Sequence, residues 1–450
     1  MSSEIARLRV LSLFVCAVSM LSYLPAYAAV GYSVSAGASH SDNIRRSPDG
    51  LTIDDTVTNL TAAFIWSNQS PRLSMSFFGQ GTYLQYVDGT YDDDLIPRAT
   101  LSIDWDILPA RLNWVVDNRY GQIASDPFSA FTPDSIEDTN IFSTGPDLTF
   151  GSSPRQLLIL GIRAEDQWYE DQTIDNQRLN GRAEFIHRIS EDQNVGFTLY
   201  AERVAYEENA ENSDYDVFEA FATYSRSLSS FYFALDAGVT ALDIQGQKSD
   251  GVLGRLNISK STESGWTVRA SGEYSYTDSG NRFLIGREQS TAGPGQSVDD
   301  DTLVAAAGPL RLEHYDGGFA RQGERSDFDV NIYWESEDFE LDPLFNREQS
   351  GITLSYALRM TPLNLLVFRG NFRKVKFDTA LREDENTEFE LRFQRTLTDN
   401  FALTARIGRL RRESTDLANQ YEENVYGLIM TYNSDLMDSL QSRPRSNSVR

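Results

Sequence analysis

The sequence predicts an all-β protein, a closed antiparallel transmembrane β-barrel of about 20 strands, with 18 the other even count it allows. Three observations lead there. Stretches of about 10–13 residues alternate apolar and polar side chains along the whole chain. Aromatic residues gather near the ends of those stretches. The connections between them alternate between short and long.

The clearest stretch is 265–277. Trp266, Val268, Ala270, Gly272, Tyr274 and Tyr276 fall on one side of an extended strand, and Thr267, Arg269, Ser271, Glu273, Ser275 and Thr277 on the other. Successive strand side chains point to opposite faces, so one face is apolar and the other carries charge. A wall between lipid and water needs that pattern.

Taken in order, residues 1–28 read as a secretory signal. Arg7 and Arg9 form its basic start, Val10 to Leu24 its apolar core, and Ala26-Tyr27-Ala28 a small-x-small cleavage site that puts the mature start at Ala29. The barrel is assigned to 29–433 and a polar tail to 434–450. Alternation places the first strands at 30–39, 56–66, 72–87, 98–107 and 111–121. The next group falls at 141–151, 155–169, 177–189, 195–207, 214–226, 230–243, 251–260 and 265–277. The last falls at 302–312, 326–336, 350–360, 363–377, 386–397, 400–412 and 421–432. The pattern is faintest at 141–151 and 302–312.

Facing follows from the same pattern. Leu179, Gly181, Ala183, Phe185 and Ile189 are expected to meet lipid, with Arg178, Asn180, Arg182, Glu184 and Arg188 inside. Phe389, Leu391 and Phe393 alternate with Glu388, Glu390, Arg392 and Gln394, and Leu101, Ile103, Trp105 and Ile107 with Ser102, Asp104 and Asp106. The expected lumen lining is Arg163, Glu165, Arg178, Arg182, Glu184, Arg188, Arg269, Glu273, Asp327, Asp329, Glu390 and Arg392. Dense charge of both signs suits the passage of a polar solute, and equally suits pairs that merely hold the wall's shape.

Short connections include Ser67–Pro71, Leu108–Ala110, Ser190–Asn194 and Thr398–Asn400; long acidic ones include 40–55, 88–97, 122–140, 278–301 and 378–386. Short periplasmic turns opposite long outer loops are the expected asymmetry of a bacterial outer-membrane barrel. Trp66, Trp105, Trp114 and Trp266 lie near short turns, whereas Trp168 and Trp334 lie near long ones. Indole rings favour the boundary where one side is apolar and the other wet, so these six are read as two girdles.

The bulk numbers agree. Hydrophobic content of 40% and mean hydropathy of −0.40 exclude a bundle of transmembrane helices, which needs long apolar runs. A net charge of −26 argues against a nucleic-acid partner. Of 40 basic residues only Lys248, Lys260, Lys374 and Lys376 are lysine. Arginine, with a planar fork that bridges several carboxylates, suits a lumen lined by acids; coding bias produces the same count.

Chemistry is sparse. His187 is expected on the lipid face near a turn, and His40 and His314 in or near loops. None has metal-ligand spacing, and no cofactor is expected. No Gly-x-Ser-x-Gly elbow accompanies them. Asp92-Asp93-Asp94, Asp299-Asp300-Asp301 and Glu383-Asp384-Glu385 read as solvated loop tips, with divalent cations shared with lipopolysaccharide phosphates as the alternative.

Three stretches carry a resemblance. Gly37-Ala38-Ser39-His40-Ser41-Asp42-Asn43-Ile44, the loop 126–140 with its Pro-Phe and later Thr-Asn, and the last strand from Tyr421 to Tyr432 resemble the outer-membrane β-barrel proteins associated with exosortase (PEP-CTERM) and exopolysaccharide gene clusters. The resemblance implies an outer-membrane location and a part in polysaccharide export or surface assembly. Outer-membrane lipid, lipopolysaccharide, polysaccharide and export-machinery proteins are its implied partners. The family supplies no catalytic residues. Tyr432 is followed by a polar tail, a departure from barrels that finish on an aromatic residue. Two rival readings are an outer-membrane hydrolase of lipid or polysaccharide, needing His40 or His314 beside a carboxylate, and a secreted all-β carbohydrate-binding protein.

A closed barrel resists detergent until heated. The purified chain should migrate differently on a denaturing gel before and after boiling, and identical migration would remove the barrel reading.

Overall fold

A computed structural model describes residues 28–153, 155–170, 174–207, 214–285 and 303–434. The signal segment, Asp299-Asp300-Asp301 and nearly all of the tail lie outside the described residues. Twenty antiparallel strands form one sheet. They are β1 (Ala28–Ser41), β2 (Asp55–Gln69), β3 (Leu73–Tyr86), β4 (Asp94–Leu108), β5 (Leu112–Ala124), β6 (Ile136–Ser153) and β7 (Gln156–Tyr169). Then come β8 (Asn176–Arg188), β9 (Gln193–Tyr206), β10 (Tyr215–Leu228), β11 (Phe231–Ile244), β12 (Gln247–Ser261) and β13 (Trp266–Thr277). After one short helix, α1 (Ser279–Ile285), follow β14 (Leu310–Gln322), β15 (Ser326–Phe339), β16 (Arg347–Thr361), β17 (Asn364–Phe377), β18 (Arg382–Thr396), β19 (Phe401–Ser414) and β20 (Tyr421–Asn433).

Each strand pairs with the next in sequence, and β1 pairs with β20 from Ser33↔Asn433 to Ser41↔Val425. That last pairing closes the cylinder. The even strand count brings both ends of the sheet to the short-turn rim, where Ser434 N donates to Tyr32 O at 2.9 Å.

Directly paired residues share a face, so a facing read on one strand carries round the wall. Ile162 (54% exposed), Leu179 (59%) and Phe389 (50%) stand outside, among many exposed large apolar side chains. An exterior of this kind suits hydrocarbon and disfavours a secreted protein bathed in water. The chain is thus a transmembrane barrel of the outer-membrane type, and it resides in the bacterial outer membrane.

Trp105 and Trp114 face each other across β4 and β5 on the outside near a short turn. Trp266 stacks on Phe319 at 4.7 Å, with the Arg321 guanidinium 4.8 Å from its ring. Trp334, toward the loop rim, stacks on Tyr315 at 5.9 Å, and Trp168 ends β7 at that rim. Trp66 differs from the other five in being buried.

The structure corrects four local expectations. The strand expected at 302–312 is β14, Leu310–Gln322. The outer face of β14 carries Arg311, Glu313, Gly317 and Arg321 beside Tyr315 and Phe319, so its alternation is weak. The apolar run 303–307 imitates a strand but packs inside the barrel. The gap left at 244–250 is a tight hairpin between β11 and β12. Gln245 and Gly246 turn it with φ of 50° and 89°, and Gly246 N is held by Asp243 Oδ1 at 2.7 Å.

Glu383, Asp384 and Glu385 are not a loop tip but the start of β18. Lys374 binds both Glu383 and Glu385, and Arg382 grips buried Asp384 at 2.8 and 2.7 Å. Asp94 likewise opens β4, and Asp93 accepts from Tyr83 Oη at 2.8 Å. Finally, His314 lies within strand β14 rather than in a loop, whereas His40 is the next-to-last residue of β1, beside a loop. His40 is exposed, 3.2 Å from Thr56 Oγ1.

Adjacent residues of β7 give a direct test of facing. Leu160 faces outward and Ile159 inward, opposite Glu184. Leu160→Arg should cost about 2–4 kcal/mol of folding stability in lipid vesicles. Ile159→Arg gains a carboxylate opposite and should cost less than about 1 kcal/mol. Urea titration of refolded protein reads both, and equal penalties would contradict the facing.

Candidate functional site

The functional surface of a closed barrel is its inside. Most of the charged lining comes from alternate strand positions, and the register decides which charges meet. Arg163 forks onto Asp147 of β6 at 3.1 and 2.8 Å rather than onto Glu165. Glu165 instead accepts from Asn180 at 3.0 Å and Ser143 at 3.3 Å. Arg182 lies between Asp147 and Glu184 at 3.9 and 3.8 Å. Arg269 reaches across β14 to Asp329 with a bidentate pair at 2.8 and 2.9 Å. Glu273 takes Arg255 at 3.2 Å, Asp327 takes Arg359 at 2.6 Å, and Arg392 pairs with Glu390 on its own strand. Arg188 projects to the same side at the short-turn end of β8.

Arg178 has a different role. It is buried and binds a residue outside the wall strands, Asp278, through Nη1–Oδ2 at 2.6 Å and Nη2–Oδ1 at 2.8 Å. Glu202 at 3.3 Å, Asn176 and Gln167 complete its shell. Asp278 precedes α1 and caps it by accepting from Asn281 N at 2.9 Å. The helix therefore lies inside the barrel. Arg282 binds Glu335 at 2.9 Å and also meets Glu337 of β15. Phe283 is buried, with the Arg119 guanidinium of β5 at 5.0 Å. Gly280 permits the docking, because a Cβ there would collide with the Gln167 amide.

The far end of the same connection crosses to other strands. Ala124 N donates to Leu303 O at 3.2 Å and Ala305 N to Ala124 O at 2.8 Å, a parallel bridge to the end of β5. Gly308 N donates to Tyr206 Oη at 2.6 Å on β9. Leu303, Ala305 and Ala307 pack with Ile123, Tyr169 and Ile174. Both described ends of the β13–β14 connection thus traverse the lumen to the β5–β9 wall.

A second connection folds in from the other side. In the β5–β6 loop, Asp126 accepts from Phe128 N at 2.9 Å and Ser129 Oγ at 2.5 Å, which bends the chain inward. Phe128 packs against Phe377 with the rings tilted and their centroids 4.9 Å apart. Arg412 Nη1 donates to Ser129 O at 3.3 Å, and Arg46 Nη1 to Phe131 O at 2.7 Å. Burial pushes the Asp175 carboxyl, at the loop rim, above its ordinary value. The described parts of both segments thus lie inside the wall near the loop rim.

Asp278, Arg282, Arg119, Arg46 and Arg412 escaped the reading of the sequence. The loop positions carry no periodicity, and an inward arginine on a strand gives no sign of a partner from a loop.

The hydrolase reading asks for a histidine beside a carboxylate. His314 has two: Nδ1 lies 2.9 Å from Glu335 Oε2 and Nε2 3.5 Å from Asp316 Oδ1. With both nitrogens occupied, neither is positioned to take a proton from a hydroxyl. Ser271 hydrogen-bonds to Asp316 rather than to the imidazole. This is a polar cluster of an imidazole between two carboxylates beneath α1, not a nucleophile–base pair. Among the described residues no group of three or more His, Cys, Asp or Glu is placed to hold a metal ion.

No family model and no curated protein matches the chain. Solved structures of similar overall shape include the FrpB iron transporter of Neisseria meningitidis, with a TM-score of 0.47, 8% identity, and coverage of 90% of this chain and 82% of that one. The siderophore receptor PirA of Pseudomonas aeruginosa gives a TM-score of 0.43 at 9% identity over 91% of this chain and 81% of that one. The outer membrane protein opdK of Pseudomonas aeruginosa gives 0.39 at 9% identity over 90% and 99%.

Proposed function

We propose that this barrel is a passage protein for a polar, charged polymer, held closed by its own β5–β6 and β13–β14 connections. We further propose that the polymer is an exopolysaccharide on its way to export or surface assembly, with export-machinery proteins and lipopolysaccharide as partners. The resemblance to the exosortase-associated barrels is the ground for that cargo. The observation that carries the passage reading is the manner of closure. The α1 end of the segment crossing the lumen is fastened to the wall by Arg178–Asp278 and Arg282–Glu335, at 2.6–2.9 Å. Ion pairs of this kind are replaceable by a charged solute, whereas a continuous apolar core is not.

Asp278→Asn removes the carboxylate that Arg178 grips with both Nη groups, leaving Glu202 at 3.3 Å on the wall. Breaking one partner of a buried pair costs about 3–5 kcal/mol, or roughly two to four powers of ten in the ratio of closed to open barrels. In planar bilayers the wild-type chain should pass little current, and Asp278→Asn should open far more often. Arg269→Ala breaks a wall pair away from the helix and should leave gating unchanged. Equal currents from all three would refute the gate.

The cargo is tested separately. Deleting the gene should reduce surface polysaccharide, and undiminished polysaccharide would remove the polymer role while leaving the channel result intact.

A further inference from the structure

We infer that the lumen contains a subsite for the carboxylate of an anionic sugar, anchored by Arg406. The inference deepens the passage reading and rests on it for its biological meaning, though not for its geometry. A cavity of about 160 Å³ lies between the wall strands β1–β4 and β19–β20, roofed by the infolded β5–β6 loop. Its charged lining consists of three arginines, Arg46, Arg98 and Arg406, against one carboxylate, Glu423. Glu423 is already engaged, by Arg46 Nε at 2.9 Å and Ser41 Oγ at 2.7 Å. In a chain of net charge −26, this cavity is lined by more arginines than carboxylates.

Arg406 is the unusual member. It is 3% exposed, and its Nη2 donates to Ser39 Oγ at 2.9 Å. Its Nε and Nη1 have no hydrogen-bond partner among the described residues. A buried guanidinium with two idle donors is costly, since each lost its water without gaining an acceptor. Its cross-strand neighbour on β18 is Arg392, another cation, so the wall adds repulsion there. Arg392 itself has Glu390. On the other side Gly427 leaves the room in which Arg406 lies, because a Cβ there would sit 2.7 Å from Nε. The glycine thus makes room for a guanidinium that keeps two of its donors without an acceptor among the described residues.

An anion supplies what is missing. A guanidinium presents its donors in a plane that matches a carboxylate. The amides of Gln80 and Gln122 line the same cavity and suit sugar hydroxyls. A carboxylate-bearing sugar meets both demands, whereas a simple inorganic anion uses only the arginines.

The test is calorimetric titration of the refolded full chain in detergent with sodium glucuronate as probe. Glucose serves as the neutral analogue and sodium sulfate as the sugar-free anion. Glucuronate should bind, glucose at least tenfold more weakly, and sulfate also more weakly than glucuronate. Arg406→Met should lower glucuronate affinity at least tenfold while the barrel keeps its heat-modifiable migration. Where that variant fails to fold, Arg98→Gln on the facing wall should lower affinity in the same direction. Unchanged affinity in the folded variant, or equal binding of glucuronate and glucose, would overturn the subsite. Sulfate binding as tightly as glucuronate would overturn its assignment to a sugar. The readout needs no current, so failure of the subsite and failure of the passage reading are separable.

Discussion

Everything in this molecule depends on the pairing of β1 with β20. In hydrocarbon an unpaired amide finds no water, and each such group costs several kcal/mol. An open sheet of this size would leave two rows of them in the membrane. Closure from Ser33↔Asn433 to Ser41↔Val425 removes both rows at once. It also makes facing a property of the whole cylinder, because a slip of one residue in any strand would turn its charges toward lipid. The wall is therefore held by backbone bonds and register more than by a packed core. The buried apolar clusters are small, and each sits near the loop rim.

Closing the wall creates a second problem, an interior rich in charge. The chain answers it with arginine. A guanidinium can span two strands, as Arg255 does between Glu219 and Glu273 at 3.3 and 3.2 Å. It can also fasten a loop, as Arg178 does with Asp278. Pairs of the first sort brace the cylinder. Pairs of the second sort hold a removable obstruction. Both use the same chemistry, and what separates them is whether the partner lies on the wall or on a segment free to leave it. Arg406 belongs to neither group, since two of its donors meet no acceptor on the wall or on a described loop.

The legibility of the sequence follows the same division. Strands β8, β13 and β18 were clear because lipid outside and water inside impose a strict period of two. The period fails at β14, whose outer face mixes Arg311 and Glu313 with Tyr315 and Phe319, while Leu303 to Ala307 imitates a strand. It fails again at Gln245-Gly246, where strands that outrun the apolar band need no greasy face. Glu383-Asp384-Glu385 looked like a loop for that reason. The inward direction of Arg163, Glu165, Arg269 and Asp329 was readable, but their neighbours in sequence were poor guides to their partners. Antiparallel register brings together residues far apart in the chain, as it does Arg269 and Asp329.

By itself, then, the amino-acid order determined a barrel wall, its two faces and its aromatic rims, since each is a local consequence of where a side chain points. The tertiary structure alone decided which connections turn back into the lumen, which arginines they meet and which arginine is left over. Those outcomes depend on the closed circumference, which brings the β13–β14 connection within reach of β5, β8 and β9. No local pattern encodes a distance across the barrel.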